Sequence, residues 1–136
     1  VGLQLLLVGH IAISGPLWAE SLFFQSLELI GIALGGWAIL AMKIANVSIL
    51  PDVRSGATLT LRGPYRIIRH PMYTALLVVT LAVVLDDFSL ARFSAWCLLL
   101  FTLTLKLTYE EKLLAEHFEE YASYRSRTWR IIPFVY

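Results

Sequence analysis

The chain has 136 residues and a net charge of +1, with 58% hydrophobic residues against 15% charged ones. Ordinary globular chains carry roughly 25% charged residues, so a soluble protein of this length would lack the polar surface to cover itself. The composition therefore predicts an integral membrane protein, and the length predicts a single membrane domain over residues 1–136. The near-neutral charge gives no reason to expect a nucleic acid as a partner.

Four apolar segments predict an all-α membrane fold with about four transmembrane helices. The segments run from Val1 to about Trp18, from about Leu27 to Ala45, from Pro71 to Leu85 and from about Phe93 to Leu105. The first two are interpreted as generic spans within residues 1–45. Gly31 and Gly35 in the second span have the spacing of a close helix–helix contact.

The third and fourth segments are shorter than the ~20 apolar residues that a spanning helix needs, so both helices are expected to extend beyond their apolar parts. Between them, Asp86-Asp87-Phe88-Ser89 is expected to form a tight turn, which makes residues 71–109 a helical hairpin. Arg92 and Lys106 bound the fourth segment, and their charged ends are expected to extend outward toward the lipid headgroups.

Basic residues orient the predicted spans. The stretch from Lys43 to Arg69 holds five basic residues against one acidic residue, Asp52, so the positive-inside rule places the loop over residues 46–70 in the cytoplasm. Within this loop, the alternating pattern of Ala57–Leu61 predicts a short extended piece at the membrane interface. Such basic loops also bind phospholipid headgroups, so membrane lipids are expected partners.

The loop ends in the motif Gly63-Pro64-Tyr65-Arg66-Ile67-Ile68-Arg69-His70-Pro71-Met72-Tyr73. Pro71 suits the first position of a helix, where its missing N–H is not needed. The N–H groups of Met72, Tyr73 and Thr74 are then expected to be free and to form a site for an anion such as a carboxylate. The motif therefore predicts a polar ligand site where the third helix enters the bilayer.

The tail, residues 110–136, begins with helical spacing of apolar residues, which predicts that the fourth helix continues into the cytoplasm as an amphipathic helix. Glu110 and Glu111 lie about one turn beyond the last apolar residue of that span, at the depth of Arg69 and His70 across the hairpin. Carboxylates and a histidine are thus expected to meet at one interfacial site facing the cytoplasm. The three histidines are scattered and show no metal-ligand spacing, so no metal site is expected.

The order of these features resembles the isoprenylcysteine carboxyl methyltransferase family, and membrane phospholipid methyltransferases share a looser version of it. The resemblance covers roughly residues 56–134. It rests on the motif, the apolar hairpin and a tail pattern that reads Glu110-Glu111-x-x-Leu114-x-x-x-Phe118-x-x-Tyr121-x-x-Tyr124-x-x-Arg127, followed by Ile132-Pro133.

The resemblance implies an integral membrane enzyme that uses S-adenosylmethionine to methylate a lipophilic small molecule or a lipidated substrate. It implies cofactor contacts from His70, Pro71, Tyr73, Glu110, Glu111, Phe118, Tyr121 and Tyr124. It implies catalytic roles, or contacts with the acceptor, for Arg69, Glu110, Glu111, Arg125 and Arg127.

The favoured acceptor is a carboxylate of the isoprenylcysteine type, which is already a nucleophile at neutral pH and needs an arginine to orient it. An amine acceptor would need a base, and Glu110 or Glu111 is the candidate for that role. The chain departs from the family at Ala75, where a glycine is usual, and at Trp129, where a proline is frequent.

Two other functions remain open on the sequence. One is an NADPH-dependent membrane reductase of the sterol-reductase type, which has similar apolar hairpins and polar tails. The other is a non-catalytic lipid-binding subunit, in which the basic loop binds headgroups.

Overall fold

The computed structural model describes residues 1–43 and 59–136, and only the backbone of Lys43. In this part of the chain the regular structure is helical throughout. It consists of α1 (Gly2–Ile13), α2 (Leu22–Lys43), α3 (Pro71–Asp86), α4 (Leu90–His117) and α5 (Tyr121–Ser126), with a short 3-10 turn at Gly63–Arg66. The predicted extended piece at Ala57–Leu61 begins outside the described residues. Most of the predicted loop over residues 46–70 also lies outside them.

The helix α3 is central to the fold, because it packs against α2, α4 and, to a smaller extent, α1. The helix α1 packs mainly against α4. The core between these helices consists of aliphatic side chains, chiefly Leu7, Ile11, Leu77, Val84, Leu99, Leu103 and Leu107. The helices therefore form an antiparallel α3–α4 hairpin with one further helix on each arm.

The close contact predicted from Gly31 and Gly35 is confirmed between α2 and α3. A methyl group added at Gly31 would lie 2.7 Å from Val79 Cγ2, and one at Gly35 would lie 3.3 Å from Ala75 Cβ. Ala75 therefore faces α2, and its methyl group fills part of a helix–helix contact.

Within the described parts of the chain, two helices are long and apolar enough to cross a membrane, namely α4 and the stretch Leu22–Met42 of α2. Only 17% and 28% of their most apolar windows, in α2 and α4 respectively, are buried inside the protein, so most of this apolar surface faces outward. Such surface suits lipid contact. The helices α1 and α3 are shorter apolar helices, and the predicted count of four spans stays a prediction.

The hairpin forms as predicted. The helix α3 ends at Asp86, and Ser89 caps α4 by accepting a hydrogen bond from the Arg92 N–H at 3.2 Å. The helix α4 then runs twelve residues beyond Leu105, to His117, which confirms that the fourth apolar segment continues as a longer helix. The same expectation is wrong for the third segment, because α3 starts at Pro71 and ends at Asp86, one residue beyond the apolar run. The first helix is shorter than predicted, because α1 ends at Ile13 rather than near Trp18.

The prediction that Arg92 extends outward is wrong. Its side chain is 1% exposed and donates to the carbonyls of Ile11 and Pro16, each at 3.3 Å, and to the Asp87 carboxylate at 3.0 Å. The arginine thus fastens the α1–α2 loop to the start of α4. At the same end, the buried Glu28 accepts a hydrogen bond from the Ala19 N–H at 2.8 Å.

Candidate functional site

The motif and the tail meet through paired backbones. The N–H of Arg69 donates to the Trp129 carbonyl at 2.7 Å, and the N–H of Trp129 donates to the Ile67 carbonyl at 2.9 Å. The next donor, the His70 N–H, bonds the Arg130 carbonyl at 3.0 Å. This pairing places the side chains of residues 69, 70 and 130 over the C-terminal half of α4, which the tail follows.

The start of the motif is fitted to α2 by a glycine. Gly63 has a φ of 56°, and a methyl group added there would lie 2.9 Å from Trp37 Nε1. The neighbouring Tyr65 is buried, and burial, with a smaller contribution from Glu110, raises its pKa to about 12. Its carbonyl accepts a hydrogen bond from the Tyr124 hydroxyl at 2.7 Å, which ties the motif to α5.

Glu111 is the centre of an ion network. Its carboxylate accepts from Arg69 Nε at 2.7 Å and from Arg130 Nε at 3.1 Å, and lies 3.3 Å from His70 Nε2. The side chain is 4% exposed and continues the buried stripe of α4 one turn beyond Leu107. Its negative charge is therefore already matched by basic groups from the motif and the tail.

One terminal nitrogen of Arg69, Nη1, is also engaged, whereas Nη2 has no hydrogen-bond partner among the described residues. Nη1 donates to the Thr128 carbonyl and to the Arg125 carbonyl, the latter at 3.1 Å. Since the guanidinium binds Glu111 and these tail carbonyls, Arg69 holds the tail against α4. Its Nη2 keeps hydrogen-bonding capacity for a further acceptor.

Glu110 has different surroundings from its neighbour. Its carboxylate accepts from the Tyr73 hydroxyl at 2.6 Å and lies 3.8 Å from His70 Nδ1 and 3.9 Å from Lys106 Nζ. The rings of His70 and Tyr73 are stacked with centroids 5.5 Å apart, and Lys106 Nζ lies 5.1 Å from the Tyr73 centroid. The side chain of Glu110 is 20% exposed, so its carboxylate is the more accessible of the two glutamate carboxylates.

Tyr121 contributes a buried hydroxyl with no hydrogen-bond partner among the described residues. Its side chain is 1% exposed, and its ring lies against Tyr124 with centroids 5.8 Å apart. Burial and the charge of Glu111 raise its pKa, so the hydroxyl is neutral and can donate. An unpaired buried hydroxyl costs about 1–3 kcal/mol, which a ligand group can recover.

Other residues named from the sequence lie at the edges of this cluster. Pro71 is buried as the first residue of α3, and Phe118 caps the end of α4, where its ring contacts His117. Arg125 and Arg127 are exposed, and Arg127 Nε donates to the Ser123 carbonyl at 3.1 Å. The structure thus brings Arg69, His70, Tyr73, Glu110, Glu111 and Tyr121 together and leaves the two later arginines on the surface.

The predicted anion site at the start of α3 is wrong for two of its three donors. The N–H groups of Tyr73 and Thr74 both donate to the His70 carbonyl, each at 3.1 Å. Satisfied in this way, they are not free to bind an anion.

Two residues of the cluster, Lys106 and Arg130, were not predicted from the sequence. The sequence predicts a headgroup-facing Lys106, but its side chain is only 14% exposed and donates to Gln4 Oε1 at 3.3 Å. Its spacing of four residues before Glu110 was the available signal. Among residues 1–43 and 59–136, the structure contains no group of three or more His, Cys, Asp or Glu side chains arranged to hold a metal ion.

Comparison with known families gives one match. The family model described as phospholipid methyltransferase matches residues 6–121, which includes the motif, the hairpin and the start of α5. No curated protein and no solved structure matches the chain significantly.

Proposed function

The chain belongs to the phospholipid methyltransferase family, and on that premise we propose that it transfers a methyl group from S-adenosylmethionine to a lipophilic acceptor in the membrane. We also propose a multi-pass topology of four spans, with the site at the cytoplasmic face. The basic loop before α3 supports this orientation by the positive-inside rule.

The residues of the cluster fit a cationic cofactor. When bound, S-adenosylmethionine supplies an activated methyl group on a sulfonium and carries a second positive charge on its ammonium. Cations of this kind suit a carboxylate and the faces of aromatic rings. Glu110 with the His70–Tyr73 stack offers both, and the unpaired Tyr121 hydroxyl offers a donor to a polar group of the ligand.

One observation carries the proposal, and it is the difference between the two adjacent glutamates. Glu111 is paired with Arg69, His70 and Arg130. Among the described residues, the one permanently charged partner of Glu110 is the ammonium of Lys106, at 3.9 Å. Glu111 therefore acts as a positioning residue that holds the motif and tail in place. Glu110 is the residue proposed to bind the positive charge of the cofactor.

Lys106 would compete with the cofactor for the same carboxylate. Its ammonium lies near both Glu110 and the Tyr73 ring, the two groups that would receive a bound cation. Gln4 of α1 accepts a hydrogen bond from Lys106, so the ammonium keeps a partner within the protein when Glu110 binds the cofactor.

For the acceptor, we propose a carboxylate of the isoprenylcysteine type. A carboxylate is a nucleophile at neutral pH, so the protein has to position it and exclude water rather than supply a base. Arg69 Nη2, which has no hydrogen-bond partner among the described residues, and the exposed Arg125 and Arg127 are the proposed contacts for this group. A phospholipid amine is the competing acceptor, and Glu110 would then serve as its base.

The cofactor part of the proposal is tested by calorimetric titration of the purified protein with S-adenosylmethionine and with its demethylated product. We expect binding, and we expect Glu110→Gln to weaken it about tenfold, equivalent to about 1.4 kcal/mol, through loss of one charge contact. Glu119→Gln, an exposed glutamate just beyond α4, is the matched control and should bind as the unaltered protein does. Absence of heat at millimolar cofactor, together with stabilisation by NADPH, would replace the methyltransferase proposal with the reductase.

The acceptor part is tested separately in proteoliposomes with a radiolabelled methyl donor. Transfer to a farnesylated cysteine analogue but not to phosphatidylethanolamine is expected. Transfer to the phospholipid alone would overturn the carboxylate assignment while leaving the cofactor assignment intact.

A further inference from the structure

The end of the tail exposes a group of large apolar side chains. This tail surface consists of Trp129, Ile132, Phe134 and Val135, of which Phe134 is 84% and Val135 72% exposed. The rings of Trp129 and Phe134 contact each other with centroids 5.8 Å apart. The two aromatic rings therefore form one continuous apolar patch within the tail surface. The tail surface takes no part in the core or in the proposed cofactor site.

The turn that carries the tail surface is held in a defined shape. The N–H groups of Ile131 and Ile132 both donate to the Tyr136 carbonyl, at 2.9 and 3.0 Å, and Arg130 donates to the Tyr136 hydroxyl. Phe134 adopts a φ of 66° in this turn. A left-handed backbone is unfavourable for a bulky residue, so the chain holds this side chain outward at a cost in stability.

The position of the tail surface relative to the bilayer follows from the length of α3. With 16 residues, α3 is about 24 Å long, whereas the hydrocarbon core of a bilayer is about 30 Å thick. If Asp86 and Asp87 mark one boundary, the hydrocarbon extends beyond Pro71 at the other end. Trp129 is paired by its backbone with Ile67 and Arg69, immediately before Pro71, and so lies at that boundary.

The charges around the tail surface have the sign that suits a lipid headgroup layer. Exposed arginines lie just before and within the motif, at Arg62 and Arg66, and on the same end of the molecule in and after α5, at Arg125 and Arg127. Juxtamembrane arginines are attracted to anionic lipid. Tryptophan beside such cations is typical of the headgroup level of a membrane.

We propose that the tail surface inserts into the boundary between headgroups and acyl chains of an anionic leaflet, with the exposed Arg62 and Arg66 on the phosphates. The insertion seats residues 128–130, whose backbone and side chains hold Arg69 and Glu111. The lipid composition of the leaflet thereby affects how firmly the ion network is held. This inference does not depend on which reaction the site performs.

The test uses tryptophan fluorescence of the full chain in lipid nanodiscs. Trp18, Trp37 and Trp96 are replaced by phenylalanine to leave Trp129, and the nanodiscs contain lipids brominated at shallow or deep acyl positions. We expect shallow bromines to remove at least half of the emission, deep bromines to remove less, and aqueous acrylamide to have little effect. Adding phosphatidylserine should increase the quenching, and Phe134→Ser with Val135→Ser should reduce it.

Two outcomes would overturn the proposal. Strong acrylamide quenching without bromine quenching would place Trp129 in water, and protection from both quenchers would indicate a protein partner or a second copy of this chain. If the triple tryptophan variant does not fold, a spin label at Phe134→Cys in a Cys97→Ser background gives the same depth by its accessibility to oxygen and to a nickel chelate. Greater accessibility to nickel than to oxygen would contradict insertion.

Discussion

One face of α4 has a buried charge at each end, and the two ends differ in what that charge does. The buried stripe begins with Arg92, passes through Leu99, Leu103 and Leu107, and ends with Glu111. Arg92 binds one backbone carbonyl at the end of α1, one in the α1–α2 loop and one nearby carboxylate. Glu111 binds basic side chains from two other segments of the chain. A buried charge is therefore found both at a purely structural contact and at a candidate ligand site.

The accessible groups beside each charge distinguish the two ends. Each end leaves one buried polar atom without a hydrogen-bond partner among the described residues, Arg92 Nε and Tyr121 Oη. The two other side-chain nitrogens of Arg92 donate hydrogen bonds, whereas the hydroxyl is the one polar atom of the Tyr121 side chain. The carboxylates beside the two charges also differ: Asp86 accepts from two backbone N–H groups and Asp87 pairs with Arg92, whereas Glu110 lies beside a stacked histidine and tyrosine and is only loosely matched by a cation. This combination supports a ligand site at the Glu110 end of α4.

Removing the charge of Glu111 should have the largest effect on stability. Glu111→Gln leaves the buried guanidinium of Arg69 and the nearby His70 without their counter-charge, and breaking a buried ion pair typically costs about 3–5 kcal/mol. We expect the apparent free energy of unfolding in mild detergent to fall by about this amount. Glu119→Gln is the exposed control. An unchanged unfolding curve for Glu111→Gln would show that the network does not hold the tail.

Removing the charge at the opposite end should cost less and should spare ligand binding. Arg92→Met keeps much of the buried volume but releases the carbonyls of Ile11 and Pro16, for an expected loss of about 2–3 kcal/mol. The measurement is chemical unfolding combined with calorimetric titration of S-adenosylmethionine. Arg66→Met, an exposed arginine, serves as the control. A loss of cofactor affinity equal to that of Glu110→Gln would remove the distinction between the two ends.

Much of this arrangement is predictable from the sequence because it depends on chain order. The acidic turn at Asp86-Asp87-Phe88-Ser89 predicts the hairpin, and the hairpin places Glu110 and Glu111 opposite the motif. The glycine pair in α2 likewise predicts a close helix contact, since small residues allow backbones to approach. Features of this kind need only spacing and the direction of the chain.

The different surroundings of the two glutamates depend on helix rotation, which spacing from the motif does not give. Adjacent residues on an α-helix point about 100° apart, so only one of them can continue the stripe of Leu103 and Leu107. The orientations of Arg92 and Lys106 were wrongly predicted for the related reason that hydropathy marks a boundary without showing which polar partners lie inside it. A register of four residues through Leu107 would have selected Glu111 as the buried one.

The smallest expected effect concerns the unpaired hydroxyl of Tyr121. Tyr121→Phe removes a buried polar atom that has no partner among the described residues, so we expect the free energy of unfolding to rise by up to about 1 kcal/mol in the absence of ligand. If the hydroxyl donates to the cofactor, the same change should weaken binding severalfold, because that hydrogen bond is lost only from the complex. Thermal unfolding with and without S-adenosylmethionine measures both quantities in one experiment.

Tyr124→Phe is the contrasting variant, since its hydroxyl already donates to the Tyr65 carbonyl and its removal should lower stability instead. Equal destabilisation by the two variants, with no change in cofactor affinity for Tyr121→Phe, would mean that the Tyr121 hydroxyl is satisfied within the fold and would leave Glu110 as the main group that distinguishes this end of α4 from the other.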